Sequence, residues 1–487
     1  MSTKLHTISS AHIPDVSSEK WSRWRIAKAI VLLGIPLIVG ELGSIVQQYA
    51  DTIMVGNYGT DYLAAAGFVN TIFYFVVFLT LGMSYAVTPL VGNAYGRKGY
   101  RSVCRIFREG IRANLIVGLL FVSVLLLLYF NLERLFFTPG RFHHQQPPEI
   151  LELSKDYFLI LTASIPFLTI FYACKQYLDG IGKTGISMLI LLVSNLLNIG
   201  LNWCLIWGHF GFREMGLYGA GIATLISRIV QMIWIIISVR KSKIVRKNYR
   251  TAEPSWNGVW KQIKLGCPIS LQLGLEIGMF NVCGIFAGWL SAPALAAHQA
   301  MYTISTTFFQ VLYGVGAAGT ILISQFRSVN AWSNIRRTAS VAFRMGLVFI
   351  VLTAILVWAF FEPLASIFTP DERVVEIMWC IFPFLLYYQL GDCLQITYAN
   401  ALRGLEQTKP LPIIASVSYF LISIPICYFY TFKFMTYMES YELAYLFDWW
   451  RWTPEMGLWF GIPFGLLVAG LLFYRVFRKK LYFLSKS

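Results

Sequence analysis

Charge is scarce in this sequence. Of its 487 residues only 13% are Asp, Glu, Lys or Arg, about half the share of an ordinary soluble domain, so the soluble globular class is excluded. Acidic residues are the rarer sign, 24 against 40 basic, which leaves a formal charge of +16. Cysteine is sparse as well. Cys104, Cys174, Cys204, Cys267, Cys283, Cys380, Cys393 and Cys427 show no C-x-x-C spacing and read as small apolar packers, not a metal or disulfide framework. There is no G-x-x-x-x-G-K-[ST] loop, no G-x-S-x-G elbow and no H-E-x-x-H pair. Nucleotide hydrolysis and membrane proteolysis therefore have no carrier, and neither enzymatic activity nor a cofactor is expected.

What is abundant is apolar surface: 57% of residues are hydrophobic and 16% aromatic. Length alone suggests about three soluble domains, but apolar runs of about 20 residues, enough to cross a bilayer, recur along the chain. They lie at 26–48, 62–90, 111–129, 157–177, 186–207, 219–239, 267–290, 295–323, 341–361, 375–402, 411–432 and 459–477. The expected fold is an all-α integral membrane protein of twelve spans. Around the start of the first run stand Lys20, Arg23, Arg25 and Lys28, and after it come Asp51 and Thr52 where a cleavage site would need small residues. No removable signal peptide is expected.

Assigning loops to alternate sides gives a test that can fail. With the N-terminus inside, cytoplasmic segments hold about 32 of the basic and about 6 of the acidic residues, and the outer loops about 7 basic and 14 acidic. The +16 thus resolves into about +26 inside, −7 outside and −3 within the membrane. Both termini are expected in the cytoplasm. Runs such as Arg240-Lys241-Ser242-Lys243 and Arg478-Lys479-Lys480 face anionic lipid, and a nucleic-acid partner is not expected because no soluble platform carries them.

Sliding the sequence by 232 positions aligns Gly34 with Gly266, Pro36 with Pro268, Gly56 with Gly288, and Leu63-Ala64-Ala65 with Leu295-Ala296-Ala297. Roughly 13 of 55 positions agree over this stretch, more than shared apolar composition supplies. Farther on, Leu178-x-Gly180-x-x-x-Thr184 recurs as Leu402-x-Gly404-x-x-x-Thr408, and Glu214-Met215-Gly216-Leu217 as Glu455-Met456-Gly457-Leu458. The reading is two homologous six-span lobes of like orientation, with a cytoplasmic N-terminal segment 1–25, an N-lobe 26–240, a linker 241–264, a C-lobe 265–478 and a cytoplasmic tail 479–487.

Four carboxylates fall in or at the edge of spans: Glu41, Asp51, Glu276 and Asp392. A charge at mid-span costs roughly 2.5–3.5 kcal/mol on insertion scales, so such residues face a bundle interior or aqueous cavity and mark ion paths. The competing reading for each is a neutral acid bonded between helices. Asp51, near the end of its run, also reads as an interfacial carboxylate, and Glu41 is weakened by its apolar repeat mate Leu273. Asn195, Asn198 and Asn202 share one helical face, as do Gln272 with Glu276 and Tyr388 with Asp392. His298, beside Gln299, reads as a satisfied interior imidazole ahead of a proton relay. Arg228 either pairs with a carboxylate or reaches toward an interface. Gly219-Ala220-Gly221 opens like a dinucleotide loop but follows no strand, so close helix packing is expected. His143 and His144, with no third ligand at metal spacing, are expected to be solvated.

These residues resemble a family. Pro36, then Ala50-Asp51-Thr52-Ile53-Met54-Val55-Gly56 and Leu63-Ala64-Ala65, is similar to the first-span signature of multidrug and toxic compound extrusion (MATE) transporters of the NorM-type bacterial branch. Leu265-Gly266-x-Pro268, Leu275-Glu276, Ala294-Leu295-Ala296-Ala297-His298-Gln299 and Tyr388-Gln389-x-x-Asp392 agree in the second half. The resemblance spans about residues 25 to 475. It implies a V-shaped pair of six-helix lobes in a bacterial inner membrane, exporting cationic amphipathic drugs or dyes in exchange for Na⁺ or H⁺. It further implies that Glu276 and Asp392, with Tyr388, couple the cation in the C-lobe, and that Asp51, Asn198, Asn202, Ala220 and Thr224 form an N-lobe cluster. Na⁺ at Glu276, Asp392 or Asp51 is one outcome. Glu41 lies outside the motif and stands, with Gln272, Asn195 and His298, as an additional candidate. A monomer is expected. The alternative function is a lipid-linked sugar flippase of a related two-lobe family, which calls for a strongly cationic cavity.

Overall fold

The computed structural model describes residues 19–137, 148–434 and 452–486; His143 and His144 lie outside them. Twelve helices among the described residues are long and apolar enough to cross a membrane: α1 Arg23–Tyr58, α2 Thr60–Gly96, α3 Tyr100–Phe130, α4 Ile150–Gly180, α5 Thr184–Trp207, α6 Gly216–Lys241, α7 Trp256–Leu290, α8 Ala292–Ser328, α9 Trp332–Ala359, α10 Glu372–Gly404, α11 Pro410–Phe432 and α12 Pro454–Lys486. No strand occurs among the described residues. This is the all-α, twelve-helix architecture that the apolar runs predict. Pro36, Pro166, Pro268, Pro383 and Pro463 sit inside helices, as membrane helices permit where neighbours satisfy the freed carbonyls.

Most helices outrun the spans read from hydropathy. α1 continues to Tyr58, so Asp51 lies within it and not at its end. α4 continues past 177 to take in Asp179, and α10 past 402 to take in Arg403. A hydropathy window closes where polar side chains begin, but here those side chains are buried, Asp179 at 3% exposed and Arg403 at 3%, as is Lys175, at 6%, inside the run before Asp179. The polar ends are continuations of helices whose inward face is polar.

The repeat holds at atomic detail. Thr88 on α2 donates to the carbonyl of Gln176 at 3.1 Å and to its Oε1 at 2.6 Å; its mate Thr320 on α8 donates to the carbonyl of Asn400 at 2.8 Å and to its Oδ1 at 3.2 Å. Lys98 and Asn330 are mates and share a positive φ of 57° and 55°; Gly182 and Glu406 are mates at 78° and 55°. Side chains other than glycine rarely accept that region, so the turn geometry outlasts the residue best suited to it. Gly59 and Ser291, which separate the first two helices of each half, are both extended. Ser291 caps α8 by accepting from Ala294 N at 3.1 Å.

Two compact units emerge: Ile35–Ser270, and residues 19–34 with 271–486. The chain changes unit inside α1 and again inside α7. In the second unit, Trp21 N donates to Asn334 Oδ1 at 3.0 Å and Arg337 donates to the Trp21 carbonyl at 2.8 Å. In the first, Gln262 donates to the Ile106 carbonyl at 2.7 Å and Ser270 to that of Leu79 at 2.6 Å.

Within each unit one glycine marks the tightest repeated contact. A Cβ on Gly180 would stand 3.0 Å from the Thr88 carbonyl oxygen and 2.8 Å from Val91; on Gly404 it would stand 3.1 Å from the Thr320 oxygen and 2.9 Å from Ile323. Backbone oxygen cannot rotate away, and overpacking costs about 1–3 kcal/mol. Gly404→Ala and Gly180→Ala are each expected to lower the melting midpoint of the detergent-purified protein, read by fluorescence-detected size exclusion. Unchanged midpoints would show that the helices slide apart freely.

Candidate functional site

In the first unit, α1 and α5 face each other through three polar rungs. Asn195 donates to Ser44 Oγ at 3.3 Å, Gln47 contacts Asn198 Oδ1 at 2.8 Å, and Asn202 donates to Asp51 Oδ1 at 2.6 Å. Every rung joins residues 151 apart. A constant offset means that the two helices run side by side in the same direction, with the face predicted from the three-and-four spacing turned to α1. Gln47, one turn before Asp51, donates to Asp51 Oδ2 at 2.7 Å. Turning the Asn198 amide places its nitrogen 2.9 Å from Asp51 Oδ1, so three carboxamides surround the carboxylate in either orientation. Asn202 Oδ1 is buried with no donor. α6 closes the cluster: Asn198 donates to Thr224 Oγ1 at 3.4 Å, and Thr224 donates to the Ala220 carbonyl at 3.0 Å. The structure thus gathers Asp51, Asn198, Asn202, Ala220 and Thr224, with Asn195 one rung away.

Asp51 and Thr224 also line a cleft of ≈ 470 Å³, part of it open, whose other walls include Val55, Leu63, Asn70, Tyr74 and Tyr157. Asp51 is the one charged residue of that lining. α6 reaches α4 and α5 closely through its small residues, as expected: a Cβ on Gly219 would meet the Leu205 carbonyl at 2.7 Å. Arg228 spends its guanidinium on Ser164 Oγ, at 2.5 Å, and on the face of Phe73, 4.9 Å away. Of the two alternatives read from sequence, the carboxylate is the one it turns toward: it acts on Asp51 electrostatically, without a direct ion pair.

Glu41 does not join Asp51. It forms an ion pair with Lys175 at 3.2 Å, and Lys175 also lies 3.5 Å from Asp179.

In the second unit, Glu276 on α7 accepts from Gln272 at 3.2 Å and from Gln395 on α10 at 3.0 Å. Each amide is held from behind. Arg403 donates to Gln272 Oε1 at 2.7 Å, and the Tyr419 hydroxyl of α11 donates to Gln395 Oε1 at 2.5 Å. Because both amide oxygens are taken, both nitrogens must point at Glu276. Asp392 differs: it is fully buried, yet neither carboxylate oxygen has a hydrogen-bond partner. Glu276 acts on it electrostatically, and the Tyr388 hydroxyl approaches it without hydrogen-bond geometry. A buried carboxylate left in that condition is costly unless something positive neutralises it. An all-oxygen set of Asp392, Glu276 and Tyr388 suits a hard cation or a proton.

Aromatic rings surround this pair. Tyr388 packs on Phe280 and Trp459 with ring centres 6.0 and 6.4 Å apart, and His298 on Trp459 and Tyr302 at 5.7 and 6.5 Å. His298 is not the satisfied imidazole expected from sequence. Its Nδ1 is buried without a partner, among the rings of Trp459 and Tyr302.

Sequence reasoning missed Gln47, Gln395, Tyr419, Lys175 and Asp179. Gln47 and Gln395 stand one turn from Asp51 and Asp392, a spacing that was available. Tyr419 is the repeat mate of Asn195, and Asp179 that of Arg403.

Against known proteins, the MatE family model matches residues 36–204 and 268–429. Among curated relatives, the chain is 28% identical over 464 residues to "Probable multidrug resistance protein NorM" of Rhizobium meliloti (strain 1021), covering 93% of this chain and 94% of the relative. It is 26% identical over 449 residues to "Multidrug resistance protein PmpM" of Pseudomonas aeruginosa, covering 91% and 90%. Among solved structures, an outward-facing multidrug resistance MATE family transporter of the MOP superfamily superposes with a TM-score of 0.80 at 20% identity, over 95% of this chain and 97% of the other. A mutant form of the Vibrio cholerae MATE transporter VcmN also gives 0.80, at 18% identity over 96% and 99%. The family model takes in both halves of the repeat and more than half of the residues, and the protein belongs to the MATE family of transporters.

Proposed function

We infer that this chain is a secondary active multidrug efflux antiporter. It exports cationic amphipathic organic compounds in exchange for Na⁺ or H⁺, by alternating access of its two units, from a bacterial inner membrane with both termini cytoplasmic. The observation that carries the reading is the fully buried Asp392 carboxylate, beside Glu276 and without a hydrogen-bond partner. A lone buried carboxylate is neutralised equally by a proton, a Na⁺ or an organic cation, and competition among them links ion entry to cargo release. The first unit supplies a second acidic site at Asp51, opening on a cleft with aromatic and apolar walls. Rings there suit many flat cations through stacking and cation–π contact. Relatives named as multidrug resistance proteins support the same cargo class.

The flippase alternative fits less well. A lipid-linked sugar carries phosphates and calls for a cationic cavity, whereas the cleft's one charge is Asp51. Fold alone does not decide, since one neighbour at TM-score 0.76 is a Pyrococcus furiosus transporter described as having a binding pocket of reverse polarity.

The test is ethidium export from vesicles holding the purified protein, under a Na⁺ gradient alone and then a proton gradient alone. One of the two is expected to drive dye against its own gradient. Movement under neither would overturn antiport. Asp51→Asn is expected to lower dye affinity about 10-fold or more, since a charge-assisted contact of about 1.5–3 kcal/mol is lost, while leaving the second unit's ion site in place. Fluorescence titration of bound ethidium reads it.

A further inference from the structure

Outside the sites above, the first unit buries a second ionic cluster. Lys175 on α4 stands between Glu41 of α1, 3.2 Å away, and Asp179 of its own helix, 3.5 Å away. The cluster is not symmetric. Asp179 has 4% of its side chain exposed and is fixed by a 2.8 Å hydrogen bond from Ser187 Oγ on α5, while Glu41 keeps 19% exposed. Two carboxylates against one ammonium leave a net charge of −1, and Glu41 is the end that can be reached. Tyr172 on α4 lies in electrostatic range of Glu41, Lys175 and Arg228 of α6. From α5 the non-titrating Ser187 takes part.

The cluster also continues a line. Glu41 is one turn from Ser44, the last rung of the seam that runs through Gln47 and Asn198 to Asp51. Side chains three or four apart on a helix are neighbours.

Resting on the antiport reading above, we propose that Glu41, Lys175 and Asp179 form an additional proton-accepting site of the first unit, joined to Asp51 by the polar seam between α1 and α5. The charge arithmetic selects the proton. A Na⁺ at Glu41 would sit beside the Lys175 ammonium, and like charges at about 4 Å repel even where water screens them. A proton on the Glu41 carboxylate only releases Lys175, which Asp179 retains, and the cluster passes from −1 to neutral in a low-dielectric surrounding. Organic cation arriving at Asp51 reverses the step, expelling the proton from Glu41 and restoring its bond to Lys175.

The experiment counts protons. Ethidium is added to purified protein in weakly buffered detergent, the protons released per dye bound are measured, and ethidium flux is followed in vesicles under each gradient. Glu41→Gln and Asp179→Asn each bring the cluster to net zero by a different residue, so both are expected to release one proton fewer per dye than the unaltered chain, and Glu41→Asp to restore the count. An unchanged count in both neutral variants overturns the proposal and leaves antiport standing. If the unaltered chain moves ethidium under neither gradient, antiport falls and the proposal with it. If one variant fails to fold, the other decides.

Discussion

Glu276→Gln and Asp392→Asn are each expected to abolish gradient-driven ethidium export while the protein still reaches the membrane in normal amount. The expectation follows from how differently the two carboxylates are kept. Glu276 is set in a rigid frame, with Gln272 and Gln395 donating to it and Arg403 and Tyr419 fixing those amides. Replacing it by Gln presents an NH₂ group to an NH₂ group, so the frame repels what it was built to hold. Asp392 has no frame, and Asn there removes the charge that a cation would meet. Loss of one fully desolvated charged partner costs about 2–5 kcal/mol, so export is expected to fall at least 30-fold in each variant. Vesicle flux under the driving gradient, normalised to reconstituted protein, measures it. Export within twofold of the unaltered chain in both variants would remove the second unit from ion coupling.

The neutral variants are also expected to stay folded. The ionised Asp392 has no hydrogen bond of good geometry to lose, and Asn matches its shape, so its melting midpoint is expected to equal or exceed that of the unaltered chain. That outcome separates a lost transport step from a lost protein.

Much of this is legible in the amino-acid sequence. Twelve apolar runs became twelve helices, and the register that aligned Pro36 with Pro268 is the register in which Thr88 and Thr320 make the same pair of hydrogen bonds. The three asparagines of α5 fell on one face because spacing alone determines that. What was not legible lay at the polar ends of helices. Asp179 and Arg403 fall just outside their apolar runs and look like loop residues to any average over apolar content, and only the helix that carries them inward shows that they are buried. His298 departs from its sequence reading for a related reason: whether an imidazole nitrogen finds a partner depends on what packs against it, and here that is Tyr302 of its own helix and Trp459 of α12.

The repeat clarifies where the halves diverge. Backbone features are shared, down to the left-handed residues at Lys98 and Asn330, but charge is not. Ser44 stands where the second half has Glu276, Glu41 where it has Leu273, and Asp179 where it has Arg403. One scaffold thus carries an acidic cluster with its own ammonium in the first unit, and in the second a carboxylate whose amide neighbours are steered by a guanidinium. Duplication preserved the packing, which depends on close backbone contacts, and left the electrostatics free to specialise.

Arg403→Leu is expected to give the largest loss of stability in the second unit. The guanidinium is 3% exposed and donates through two different nitrogens, Nη2 to Gln272 Oε1 at 2.7 Å and Nη1 to Asn400 Oδ1 at 3.4 Å. Leucine fills the volume but leaves Gln272 Oε1 buried without a donor, at about 1–3 kcal/mol, and weakens the Asn400 contact as well. A further consequence reaches Glu276. Without Arg403 the Gln272 amide is free to turn, and its oxygen then faces the carboxylate where its nitrogen stood at 3.2 Å. Arg403→Lys keeps the charge but not the fork, and a single ammonium cannot serve both acceptors in that geometry, so its midpoint is expected between the other two. Thermal unfolding in detergent, followed by tryptophan fluorescence, orders the three. Gln272→Met separates the two effects, since it removes the acceptor along with the need for it and is expected to be milder than Arg403→Leu. Equal midpoints for the unaltered chain and Arg403→Leu would show that the guanidinium holds nothing in place, and the frame around Glu276 would then need another origin.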